Sequence, residues 1–92
     1  MKDEINAILI DDRDNVATVI CPLEPDTDAV FLRNEAVCRV KTTGIPIYHK
    51  VAIQDIPVGE PILKYGEPIG TAAVFIAQGA HVHTFNIAGA TE

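Results

Sequence analysis

The chain has 92 residues, room for one small domain (residues 1–92) that buries only about 60–65% of its unfolded surface. Thirteen acidic against seven basic residues give a net charge of −6. That excludes nucleic acid and anionic membrane surfaces as main partners, because Lys and Arg drive binding to both. The hydrophobic share of 48% excludes disorder, and the absence of Trp leaves a core of Ile, Val, Leu and Ala.

The first residues, Met1-Lys2-Asp3-Glu4-Ile5-Asn6, show no basic region leading into an apolar run. No apolar stretch approaches the roughly 18 residues of a membrane span. A cytoplasmic protein is therefore expected, with Cys21 and Cys38 as reduced, partly buried thiols. A chain this short gains stability from a partner subunit, either another copy of itself or a larger chain.

Short β-rich runs at 7–10 and 16–20 flank Asp11-Asp12-Arg13-Asp14-Asn15. Asp and Asn favour turns, so this acidic segment reads as a solvated hairpin loop. It lacks the alternating ligands and distal Glu of a calcium loop. Cys21-Pro22-Leu23-Glu24-Pro25-Asp26-Thr27-Asp28 is a longer loop whose prolines oppose regular pairing. Segment 29–42 is the one contest between helix and strand. Period two puts Val30, Leu32, Ala36, Cys38 and Val40 on one face, a cleaner separation than a helix gives. A strand with a bend at Asn34 is expected.

Gly and Pro punctuate the second half so densely that no ten residues are free for a helix. Further strands are expected at 51–53, 62–65, 69–72 and 81–85. An internal repeat recurs at Ile45-Pro46-Ile47-Tyr48-His49-Lys50-Val51, Ile56-Pro57-Val58-Gly59-Glu60-Pro61-Ile62 and Ile76-Ala77-Gln78-Gly79-Ala80-His81-Val82. Each copy reads as a tight turn feeding a strand, with Pro at the second position of a type I turn and Gly in the left-handed position after it. Tyr48 breaks that rule, so its turn differs or its backbone is strained. The fold expected is mostly β.

Three features carry chemistry. His81 and His83 share one strand face and can ligate one metal. The third position in that series is Phe85, which leaves a two-ligand site. Lys64 and Tyr65 can bind a carboxylate or polarise a hydroxyl, and His49-Lys50 offers local positive charge. There is no Ser anywhere in the chain, and no phosphate-cradling loop. Such a chain completes a site more readily than it owns one.

Read whole, the second half resembles the SAF domain of the altronate/galactarate dehydratase family. The residues that carry this are His49-Lys50-Val51-Ala52, Lys64-Tyr65-Gly66 with Pro68-Ile69-Gly70, and Gly79-Ala80-His81-Val82-His83, with Asp14-Asn15-Val16-Ala17 earlier. Segment 21–42 carries least of the resemblance. Phe85, Ala80 and Phe75 stand where the family usually has His, Glu and Asp. The resemblance implies a single SAF-type β-clip domain. It implies the small subunit of a dehydratase that removes water from a hexonate or hexarate to give a 2-keto-3-deoxy acid. A large catalytic dehydratase subunit would be its partner, and a divalent metal, iron or manganese, its assistant. On this reading His81 and His83 act in catalysis or metal binding, while His49, Lys50, Lys64 and Tyr65 contact substrate. The alternatives are a non-catalytic binding module of the same fold, or the small subunit of a related lyase such as sulfolactate sulfo-lyase.

Overall fold

The stretches between Gly and Pro corners are too short for helices and become strands. This computed structural model describes residues 4–89. Nine strands run through the described residues: β1 (Ala7–Ile8), β2 (Val16–Val19), β3 (Asp28–Arg33), β4 (Ala36–Lys41), β5 (Lys50–Ala52), β6 (Pro61–Lys64), β7 (Glu67–Ala72), β8 (His81–Val82) and β9 (Ile87–Ala88). The one helical element among them is a 3-10 turn at Thr84–Asn86. The mostly-β expectation holds, and β1, β2 and β5 to β8 fall within three residues of the predicted runs, while β9 has no counterpart among them.

All pairing is antiparallel. A four-stranded sheet runs β1-β2-β5-β8, a hairpin joins β3 and β4, and a three-stranded sheet runs β6-β7-β9. The β2–β5 pair is central and is covered on both faces. Ala17, Val19 and Val51 enter one core with Ala29, Phe31, Val40 and Ile45. Their strand neighbours Val16 and Ala52 enter a second core with Ile56, Ile62, Ile69, Ile76 and Val82. Period-two alternation explains the division, since adjacent residues on a strand point to opposite faces. Burying each Val or Ile side chain contributes roughly 1.5–3 kcal/mol.

The repeat is real and has a fourth copy. Leu23 bridges Ile45, and Ile56 bridges Ile76. Each of these four residues leads into a turn closed by one backbone bond: Thr27 to Glu24, His49 to Pro46, Glu60 to Pro57, and Ala80 to Ala77. Pro46 and Pro57 occupy the first turn position, not the second as expected. The third position is left-handed in every copy, at Asp26, Tyr48, Gly59 and Gly79. That is the type II pattern. Leu23 thus pairs despite its flanking prolines, because one bridge needs only its own N–H and C=O.

Segment 29–42 is a hairpin and not one bent strand. Asn34 and Glu35 both take left-handed backbone, with φ of 50° and 67°. Two such residues form the tight turn that suits strand twist. The turn reverses the face parity, so Phe31 pairs Cys38 and Ala29 pairs Val40. Phe31 is therefore buried, and Leu32, expected inside, is exposed. Cys21 and Cys38 are both free, but Cys21 is exposed where a partly buried thiol was expected.

The acidic loop also departs from expectation. Asp11 and Arg13 form a solvent-facing ion pair at 3.0 Å. Hydrogen bonds from the Arg13 side chain and backbone hold the Asp11 carboxyl at about 2, well below its usual range. Asp14 and Asn15, by contrast, are buried. Asp14 accepts the N–H groups of Tyr65 and Gly66 at 3.0 and 2.7 Å. Asn15 accepts the N–H of Leu63 and donates to the carbonyl of Pro61. The loop reaches across the molecule and fixes the β6–β7 hairpin. Gly66 suits the close approach, since it takes φ 72° and a Cβ there would meet the Arg13 guanidinium at 2.6 Å.

Candidate functional site

Antiparallel register brings the histidines together. Lys50 pairs Val82 and Val51 pairs His81. One step further along the same ladder sets His49 opposite His83. His81 lies two residues before His83 and so on the same face. The three ring nitrogens, one from each residue, lie within 4.8 Å of one another. His49 Nδ1 is 2.8 Å from His81 Nε2, and the His49 and His83 rings stack at 4.3 Å. The third imidazole is therefore His49, 32 positions before His81, and not position 85. Phe85 is exposed and sets its ring edge-on to His81 at 5.2 Å. It lies in the 3-10 turn that ends the strand predicted over 81–85.

Asn86 holds this geometry. Its side chain donates to the carbonyl of His81 and accepts the N–H of His83, both at 2.9 Å. Asn86 is buried. Its role was not visible in the sequence, where it is one polar residue after Phe85. The anchored turn sets the chain direction after His83 and with it the ring positions.

His81 and His83 are held neutral at pH 7. Burial lowers the His81 pKa below 6.5, and repulsion from His49, His83 and Lys50 lowers it further. Burial, then His49 and Lys50, lower that of His83. Neutral imidazoles keep a lone pair, which both metal ligation and proton abstraction require. The buried Nδ1 of His83 has no hydrogen-bond partner. Three imidazole nitrogens, at least two of them neutral, fit a divalent first-row ion by donor type and number.

Beside the cluster is a cleft of about 450 Å³ lined by Ile47, Tyr48, His49, Lys50, Lys64, His83, Thr84 and Ile87. Of the predicted substrate contacts, His49, Lys50 and Lys64 line it. Tyr65 does not. It occupies the exposed β6–β7 turn at φ 61°, where its backbone N–H is held by Asp14 and its ring lies 5.2 Å from the Lys64 ammonium.

The altronate/galactarate dehydratase SAF domain matches residues 5–90. The chain belongs to this family. Altronate dehydratase of Escherichia coli is 40% identical to this SAF domain over 73 residues, which are 79% of the chain and 14% of that enzyme. The (2R)-sulfolactate sulfo-lyase subunit alpha of Chromohalobacter salexigens is 46% identical over 44 residues, 48% of the chain and 47% of that subunit. Its counterpart in Paracoccus pantotrophus is 45% identical over 42 residues, 46% of the chain and 63% of that subunit. The matched region is thus less than two thirds of each of these relatives. These matches make this β-rich domain a lyase-associated one. Among the described residues no helix is long and apolar enough to cross a membrane.

Proposed function

We propose that this SAF domain is the small subunit of a sugar-acid dehydratase and completes a site on a large catalytic chain. The observation that carries the reading is the meeting of His49, His81 and His83 beside a cleft that also holds Lys50 and Lys64. The sequence offers no nucleophile arrangement, and the cluster suits proton transfer and charge stabilisation instead. Elimination from a 2,3-dihydroxy acid needs a proton removed next to the carboxylate and the hydroxyl on the neighbouring carbon protonated as it leaves. A neutral imidazole of the cluster accepts the first proton. An imidazolium so formed donates the second. Lys50 and Lys64 give the cleft positive character that draws a small carboxylate on an otherwise acidic protein. In the alternative use of the same lone pairs, His49, His81 and His83 would hold a divalent ion, iron or manganese, whose charge would stabilise the enediolate, and the large chain would then supply the base.

Sulfolactate sulfo-lyase is the second reading. It is favoured by relatives that are themselves named as a subunit alpha, of which 42–44 matched residues make up 47–63%.

The test is reconstitution. The chain is co-purified from its native host, and the recovered large subunit is identified by mass spectrometry. Altronate, galactarate and (2R)-sulfolactate are then assayed with Fe(II) or Mn(II). The complex should release a 2-keto-3-deoxy acid from a sugar acid, and the isolated chain should release none. Turnover of (2R)-sulfolactate alone would favour the second reading. Robust turnover by the isolated chain would overturn the accessory role.

A further inference from the structure

Tyr48 is the one bulky residue among the four equivalent corners. The left-handed position holds Asp26 at φ 70°, Gly59 at 85° and Gly79 at 90°, yet Tyr48 at 69°. Asp and Gly tolerate that conformation, and an aromatic side chain does so at a cost. Backbone hydrogen bonds to β2 hold Tyr48 in that conformation. Tyr48 N–H donates to the carbonyl of Val19 at 2.7 Å, and the His49 carbonyl accepts the Val19 N–H at 2.9 Å. The side chain gains little from packing, because Tyr48 is 71% exposed, the most exposed of the large hydrophobic residues among those described. A strained residue with neither burial nor relaxed backbone points to a role outside folding. Tyr48 lines the cleft directly before His49 and Lys50.

We propose that Tyr48 is a substrate-contact residue that sets specificity, its phenol hydroxyl bonding a hydroxyl of a polyhydroxy acid. This inference rests on the dehydratase reading. With the carboxylate drawn toward Lys50 and Lys64, the polyol chain of a hexonate or hexarate extends along the cleft wall. Tyr48 offers there one donor and one acceptor, which match an alcohol. A short substrate with no distal hydroxyl has nothing to offer it.

The experiment uses the reconstituted complex and two variants. Tyr48→Phe removes only the hydroxyl. KM for the sugar acid should rise about 2- to 10-fold, the loss of one neutral hydrogen bond, with kcat little changed. Tyr48→Gly removes the strain and the ring. The melting temperature of the chain should rise by about 4–8 °C while KM rises at least as much as for Tyr48→Phe. Unchanged KM in both variants overturns the inference. So does weaker assembly of Tyr48→Gly with the large subunit at normal KM, which would make Tyr48 a docking residue. A melting temperature that does not rise removes the strain argument on which the inference stands. A wild-type complex that turns over no sugar acid defeats the dehydratase reading and this inference together. Normal wild-type turnover with an unaffected Tyr48→Phe defeats the inference alone.

Discussion

Asp14→Ala is expected to destabilise the protein by about 3–5 kcal/mol. The Asp14 side chain is fully buried and accepts three backbone N–H groups, from Tyr65, Gly66 and Asp11. Each donor left without a partner in a part-buried site costs about 1–3 kcal/mol. Alanine also leaves a void where the carboxyl group was. The Tyr65-Gly66 turn depends on these bonds, because both residues hold left-handed backbone, with φ of 61° and 72°. A domain of this size is stable by only about 5–14 kcal/mol, so the loss is a large part of the total. Thermal unfolding followed by far-UV circular dichroism should shift down by at least about 12 °C. Asp14→Asn keeps one acceptor and should fall between. A shift of under about 4 °C for Asp14→Ala would show that the turn holds without its anchor.

Replacing His49, His81 or His83 by Ala should lower turnover of the reconstituted complex by about 10²–10⁴-fold, the range for loss of a proton-transferring group. That corresponds to about 2.7–5.5 kcal/mol of transition-state stabilisation. The three effects should not add. His49 and His81 share a hydrogen bond at 2.8 Å, and one ring must donate while the other accepts. Loss of either partner therefore changes the proton and the orientation of the other. The double variant His49→Ala/His81→Ala should be little worse than the poorer single variant. Circular dichroism and co-purification separate this from misfolding, since all three rings are only partly buried. Near-normal turnover in each single variant would refute the assignment and leave the fold intact.

Much of this arrangement is written locally. The Gly and Pro corners limit strand length, and the two-residue spacing of His81 and His83 is enough to give them a common strand face. The rest depends on contacts distant in sequence. His49 joins the pair through the β5–β8 register, which sets Lys50 against Val82. Nothing beside His49 in the chain announces that partner. Asp14 has the composition of a solvated turn, and only the reach of residues 14 and 15 to the β6–β7 hairpin buries it. The parity of Phe31 and Leu32 turned on whether Asn34 and Glu35 bend the chain or reverse it. Each local pattern was compatible with two tertiary outcomes, and packing chose between them.

The central claim is that His49, His81 and His83 form one centre. Titration of Mn(II) into the chain with isotope-labelled histidine tests this directly, because a bound paramagnetic ion broadens the NMR signals of nearby groups. All three imidazoles should broaden together, at lower Mn(II) than the backbone signals of Asp11 and Asp12 in the acidic loop. Broadening confined to the acidic loop, or to one imidazole while the other two stay sharp, would contradict it.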